Sequence, residues 1–189
     1  MLVGIDEVGR GSLAGPLVVG LVSLNSKVPG LKDSKALTAI QRQHLSHQIY
    51  KAASCASLGW VWPHEIDELG LTLATKLAII RSLNYRYISK AKFLIDGNYN
   101  YLAGLHQAET IIRGDESVAE ISAASIIAKV ARDNFMKSIS QYFPGYGFHQ
   151  NVGYGTKEHM MAIRTIGPCL QHRLSFSPLN AQQNTALVL

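Results

Sequence analysis

Two short apolar runs open the chain, residues 2–5 (LVGI) and 17–24 (LVVGLVSL), with only DEVGRGSLAGP between them. Both are bounded by turn residues and rich in valine and leucine, so they read as buried strands. The glycine-rich stretch that joins them predicts a hairpin. A chain that begins this way has started its sheet before any helix appears, and later elements must add to that pair. A third strand, residues 57–62 (SLGWVW), ends at Pro63. Strand and helix patterns then alternate, with strands at KFLIDGN from Lys92 and at ETIIRGD ending on Asp115. That order predicts an α/β domain with a small C-terminal helical cap.

The helices carry their own punctuation. Thr38 and Gln41 are spaced as a capping box, and Leu45, Ile49 and Ala53 recur behind them at helical spacing. A second helix is expected through Leu73, Leu77, Ile80 and Leu83, with Gly70 breaking its first turn. Ser117 and Glu120 form another capping-box pattern before a long helix with the stripe Ala124, Ile127, Ala128, Ala131 and Phe135. Its small run Ser122-Ala123-Ala124-Ser125 would let it lie close to a sheet. Past Pro144 the chain turns glycine- and aromatic-rich (YGFHQNVGYGT), and a short helix over residues 156–166 stops at Gly167-Pro168. The expected organisation is a core of residues 1–144, a C-terminal helical region 145–179 and a flexible tail 180–189.

The chain of 189 residues is long enough for one domain without disulfide staples. Cys55 and Cys169 show no ligand or redox spacing and are expected to be buried thiols of a reducing compartment. No signal peptide is apparent, and no apolar run approaches the roughly 18 residues that span a bilayer. A soluble, cytoplasmic protein with no membrane partner is expected. A net charge of +5 suits a polyanionic partner without specifying one.

Only thirteen residues are acidic, so their positions carry information. Asp6 and Glu7 end the first strand, Asp96 the fourth, and Asp115 the fifth. Strand ends gather along one edge of an open α/β sheet, where clefts form. Carboxylates converging there must either take up a proton or recruit cations. Oxygen-only ligands suit Mg²⁺ or Mn²⁺, and two such ions roughly 3.5–4 Å apart are common phosphodiester-cleaving machinery. Each position also has a plainer reading: Asp6-Glu7 as a solvated strand end, Asp96-Gly97 as a type I′ turn, Asp115 as a favourable charge at a helix start. No phosphate-binding glycine loop, zinc-protease or serine-hydrolase motif is present, and His44 and His47 read as a solvated helix face.

In order and spacing, GIDEVGRGSLAGPLVVG, KDSKAL, FLIDGN, RGD with SAASIIAKVARD, and YGFHQNVGYGTKEH resemble the bacterial ribonuclease HII enzymes over residues 1–178. The resemblance implies a ribonuclease H-like fold, a five-stranded mixed sheet flanked by helices. It implies a monomeric endonuclease, dependent on Mn²⁺ or Mg²⁺, that cuts the RNA strand of RNA–DNA hybrids. Duplex DNA carrying single ribonucleotides is also an implied substrate, cut on the 5′ side of the ribonucleotide to leave 3′-hydroxyl and 5′-phosphate ends. Carried over by position, Asp6, Glu7, Asp96 and Asp115 match the family's metal-binding carboxylates, and Gly9, Arg10 and Gly11 match its ribose-reading turn. Tyr154 matches the tyrosine that packs on the sugar just downstream. A turn exposing backbone N–H and C=O groups suits the 2′-hydroxyl, the group that separates RNA from DNA.

Lys35, Lys129, Lys157 and Arg164 are candidate phosphate contacts. Asp33, Glu116 and Asp133 are competing acids, although Asp133 is expected to pair with Lys129 one turn away. The stretch His172-Arg173-Leu174-Ser175-Phe176 departs from the family's HRRSF by one basic residue. Two other readings stand beside the first. A ribonuclease H-like nuclease of different specificity would cut all-DNA duplex equally, and a non-catalytic nucleic-acid-binding module would show no metal-dependent turnover.

Overall fold

The computed structural model describes residues 1–31, 37–83 and 91–180. Five strands form one mixed sheet in the order β3-β2-β1-β4-β5. They are β1 (Leu2–Val8), β2 (Leu17–Leu24), β3 (Ala53–Val61), β4 (Lys92–Asp96) and β5 (Ala108–Ile111). β1, β2 and β3 pair antiparallel, whereas β1, β4 and β5 pair parallel. The opening hairpin is therefore the nucleus to which later strands attach on both sides.

Helix α1 (Ala39–Ala52) carries the expected capping box at Thr38 and Gln41. Ala53, placed by periodicity on that helix, instead begins β3. α2 (Pro63–Ser82) kinks at Gly70, whose φ of 72° is outside the helical region. Its buried face runs through Ile66, Ala74, Ala78 and Ile79, so Leu73 and Ile80 lie outside, more than a third exposed. The kink resets the helical phase, which a count along the sequence does not register.

Past β5 the structure departs further. The strand stops at Ile111, and Asp115 lies in a separate turn of helix, α3 (Gly114–Ser117). The long helix α4 (Ala119–Ile139) is capped by Val118 without a side-chain bond, so the Ser117–Glu120 capping box does not form. Ser117 belongs to α3, which takes the position a cap would need. α5 (Phe148–Asn151) and α6 (Lys157–Ile166) follow, with α6 capped by Thr156 and closed at Gly167 as expected.

α2 covers one face of the sheet through Val3, Ile5, Leu17, Val19 and Phe93. α1 and α4 cover the other through Val22, Leu45, Ile49, Ala123 and Ile127. α4 lies almost on the backbone of β1 and β2. A methyl group on Gly4 would overlap the backbone of Glu120, and one on Gly20 the backbone of Ala124. Glycine is needed there because helix and sheet leave no room for a side chain. Beyond the sheet, Leu13, Met136, Tyr146, Phe148 and Ile163 form a separate cluster joining α5, α6 and the end of α4 to the loop after β1. Cys55 is buried and Cys169 only half-buried, both as free thiols. Among the described residues, no helix is long and apolar enough to cross a membrane.

Candidate active site

Neighbouring side chains on a strand point to opposite faces, so Asp6 and Glu7 diverge rather than collide. Asp6 faces α4, where the hydroxyl of Ser125 hydrogen-bonds its carboxylate. The backbone N–H of Glu7 donates to Asp6 Oδ1 at 2.7 Å. Asp6 pairs across the hairpin with Gly20, the glycine that admits α4, so the close approach of the helix also delivers Ser125. Glu7 points to the α2 side, the face of Val3 and Ile5.

The parallel register pairs Ile5 with Ile95, which sets Asp96 alongside Asp6 one residue further on. Asp96 Oδ1 accepts the N–H of Gly114 at 2.7 Å, tying the end of β4 to the start of α3. Because β4 and β5 are parallel, Asp96-Gly97 is not a two-residue hairpin turn. Arg113, left-handed at φ 54°, redirects the chain into α3, where Asp115 is buried. All four carboxylates line one pocket of about 560 Å³, together with Gly9, Arg10, Gly11, Ser125, Lys129 and Tyr154.

The pocket is electrostatically unbalanced. Burial, with repulsion from Glu7 and Asp96 and against the Ser125 bond, brings the Asp6 carboxyl up to about 8. Burial also raises Glu7, against the pull of Arg10, whose Nη1 lies 3.4 Å from Glu7 Oε1. Among the described residues, no three of these acids are already gathered as a ligand cage for one ion. Carboxylates that share one pocket repel each other, and an all-oxygen donor set suits a hard divalent cation. Asp6, Glu7, Asp96 and Asp115 therefore fit a divalent ion such as Mn²⁺ or Mg²⁺.

The glycine turn is held from beneath by two buried arginines. Arg132 of α4 donates to the carbonyls of Pro16 (2.8 Å), Ala14 (3.0 Å) and Val152 (2.9 Å) and to the Ser12 hydroxyl (2.8 Å). Arg173 donates to the carbonyl of Arg10 (3.1 Å) and twice to that of Gly15 (2.9 and 3.0 Å). Neither makes an ion pair with a carboxylate among the described residues. Burial lowers both, and repulsion from Arg132 helps to bring Arg173 down to about 9. Gly9 (φ 90°) packs on the Arg132 guanidinium, leaving no space for a side chain. Arg10 itself reaches outward, its Nη1 donating to the Tyr101 hydroxyl at 2.8 Å.

Tyr154 forms the opposite wall, with Lys129 Nζ and the Arg132 guanidinium each 5.4 Å from its ring centre. Lys129 pairs with Asp133 at 2.9 Å, as its spacing predicts, while still lining the pocket. Lys157 and Arg164 are exposed on α6 and are not among the lining residues, so the structure does not bring them to the carboxylates. Glu116 is likewise exposed and outside the lining. Lys35 and Asp33 lie outside the described residues.

Sequence reading named Ser125 only as a small packing residue and Arg173 only within the HRRSF-like stretch, and it did not single out Tyr101 or Arg132. A signal existed for Arg132, which continues the buried i, i+4 series Ala124, Ala128, Met136 as a charge on an apolar stripe. Tyr101 had none, since its partner is 91 positions away.

This architecture is that of the ribonuclease H-like nucleases. A solved ribonuclease H2 from Pyrococcus horikoshii OT3 superposes with a TM-score of 0.81 at 25% identity, over 100% of this chain and 99% of that one. A ribonuclease HIII, solved as "Bst-RNase HIII in complex with Mn2+", shares the fold at TM-score 0.67 and 19% identity, over 98% of this chain and 70% of that one.

The family model "Ribonuclease HII" matches residues 3–178, and this chain belongs to the ribonuclease HII family of ribonuclease H-type endonucleases. The ribonuclease HII of Geobacillus sp. (strain WCH70) is 43% identical over 180 residues, covering 94% of this chain. That of Acidovorax sp. (strain JS42) is 44% identical over 182 residues, covering 95%. The chain spans 64% of the Geobacillus protein's length and 86% of the Acidovorax protein's.

Proposed function

We propose that this protein is a metal-dependent endonuclease that cuts on the 5′ side of a ribonucleotide, in RNA–DNA hybrids and at single ribonucleotides embedded in duplex DNA. The products carry 3′-hydroxyl and 5′-phosphate ends, and the cellular role is removal of ribonucleotides from DNA in the cytoplasm. One observation carries the reading: the carboxylate pocket and the glycine turn share a wall, so chemistry and sugar recognition are adjacent. Ribonuclease H-type nucleases act on RNA–DNA substrates and depend on divalent metal, in keeping with the Mn²⁺ of the ribonuclease HIII neighbour.

Asp6, Glu7, Asp96 and Asp115 would hold Mn²⁺ or Mg²⁺, which supplies Lewis acidity for water activation and for the leaving oxygen. The chain's own groups do the rest. Gly9, Arg10 and Gly11 present backbone groups to the 2′-hydroxyl, and Tyr154 offers a flat face to the next sugar. Lys129, beside Tyr154, supplies charge to a phosphate there. Residues 145–179 complete the site by carrying Tyr154 against the core of residues 1–144, and the protein works as a monomer.

The test is a duplex with one embedded ribonucleotide beside an all-DNA control, each incubated with Mn²⁺, with Mg²⁺ and with chelator. Cleavage of the first alone, dependent on metal, is the expected result. Equal cleavage of both duplexes would favour a ribonuclease H-like nuclease of other specificity.

A further inference from the structure

The turn after β1 is less fixed by its own sequence than its place in the site demands. Gly9 to Ser12 form a β-turn, closed by the Ser12 N–H on the Gly9 carbonyl at 3.3 Å, with Arg10 and Gly11 at its centre. Neither central residue has a positive φ, so the turn is not of type II. Yet a glycine in the second central position admits type II readily. The two types differ by a flip of the central peptide, here Arg10 to Gly11, which exchanges the directions of its C=O and N–H. Packing does not choose between them, because nothing lies within 4 Å of where a Gly11 side chain would begin. Nor does the Gly11 N–H have a hydrogen-bond partner among the described residues.

One contact does choose. Arg173, wholly buried, donates from Nη1 to the Arg10 carbonyl at 3.1 Å. Its Nε and Nη2 both hold the Gly15 carbonyl, at 3.0 and 2.9 Å, which fixes the plane of the guanidinium. In a trans peptide the N–H points opposite to the C=O. With the carbonyl drawn into the protein, the Gly11 N–H turns toward the carboxylate pocket, which exposed Gly11 lines. Arg132 supports the same loop at Ser12, Ala14 and Pro16, but its hydrogen bonds do not include this peptide.

We infer that Arg173 is a positioning residue for ribose recognition, holding the turn so that it offers the 2′-hydroxyl a donor rather than an acceptor. The identity of the ligand rests on the proposed function. Every base of the duplex stays paired, since 2′-hydroxyls are displayed in the minor groove. Without the arginine, the flipped turn sets the Arg10 carbonyl in the pocket instead. The residue that decides this lies 163 positions from the turn, in the C-terminal region. That region therefore acts on specificity from beneath the turn as well as through Tyr154.

The test uses Arg173→Lys, which keeps the charge but cannot fork across two carbonyls, and the neutral Arg173→Gln. Arg132→Lys is the control for general loosening of the loop. Binding to a duplex with one ribonucleotide and to its all-DNA counterpart is measured in Ca²⁺, beside thermal unfolding. Both Arg173 variants should lose about tenfold of the preference for the ribonucleotide, the scale of one hydrogen bond, with all-DNA affinity unchanged. Arg132→Lys should lower stability and weaken both duplexes alike. A preference kept in both Arg173 variants, or lost equally in Arg132→Lys, overturns the inference. A second readout needs no ribose discrimination. In protein labelled with ¹⁵N-glycine, the Gly11 amide, assigned by its absence in Gly11→Ala, should be sharp in the unaltered chain and shifted or exchange-broadened in both Arg173 variants. An unchanged Gly11 signal overturns the role of Arg173, whereas an unaltered chain that binds both duplexes equally overturns the proposed function.

Discussion

Asp6 is the residue whose environment argues most directly. It is buried, its proton is held by desolvation up to about 8, and two further carboxylates repel it. Asp6→Asn removes that frustration and keeps the shape, so without metal the variant should be more stable at pH 8, by on the order of 1–3 kcal/mol. Urea unfolding in chelator measures this. The same variant, and Asp115→Asn, should lose more than about 100-fold in cleavage, since ligand loss should exceed the effect of losing an outer-shell partner. Full activity in both, with metal present, would sink the assignment of these acids. The two buried arginines are the converse case, because each spends its donors on several loop carbonyls at once. Arg132→Met leaves Ser12, Ala14, Pro16 and Val152 short of a donor. It should cost roughly 2–4 kcal/mol in thermal or urea unfolding.

At the scale of elements, the site depends on how closely α4 approaches the hairpin. Gly20→Ala puts a methyl into the backbone of Ala124 and forces the helix outward. That overpacking should cost about 1–3 kcal/mol and lift Ser125 from Asp6, lowering cleavage in step with stability, which paired melting and kinetic measurements would show. This closeness was legible beforehand, because Ser122-Ala123-Ala124-Ser125 permits it and Gly4 and Gly20 sit in strand patterns. The hairpin, the capping box of α1 and the end of β4 were legible for the same reason, being local periodicity and local hydrogen bonding, whereas β1 runs on past the acids to Val8. The start of α4 was not. A capping box competes with any other use of the same backbone, and α3 takes Ser117 first. Nor was the inward face of α2, since the kink at Gly70 changes its phase. Within the site, the carboxylates stood out as scarce acids at or just past strand patterns, whereas Tyr101, Arg132 and Arg173 reach the loop after β1 over separations of more than ninety positions, which no local pattern records.

The whole molecule joins a sheet-built core to a cap, and the joint contains a second ionisable cluster with the opposite sign. His159 Nδ1 lies 2.9 Å from the Tyr154 carbonyl and must donate to it. Its Nε2 then accepts from His172 Nε2 at 3.0 Å, and His172 Nδ1 accepts the N–H of Cys169 at 2.9 Å. The relay from Cys169 N–H through His172 and His159 to the Tyr154 carbonyl forms only when both rings are neutral, and a proton on His172 Nδ1 would trade the Cys169 N–H for the longer 3.2 Å contact with the Cys169 carbonyl. Tyr146 and Phe148 pack around the pair, so the added charge would be stranded among apolar rings. Burial, with His159 alongside, lowers His172 to about 4 from an ordinary 6.5. A base depressed in the fold contributes stability that is present above 6.5 and lost as pH falls through 4. Asp6, raised from 3.8 to about 8, contributes stability that is present below 3.8 and lost as pH rises through 8. Between pH 4 and 6.5 the two slopes oppose, so the metal-free chain should change little in unfolding midpoint across that window. Asp6→Asn should uncover a midpoint that climbs with pH, and His172→Gln one that falls. Urea titrations of the three proteins in chelator at pH 4.5, 5.5 and 6.5 test the pair together. Parallel curves for all three would show that neither the pocket nor the joint holds its proton as the structure requires.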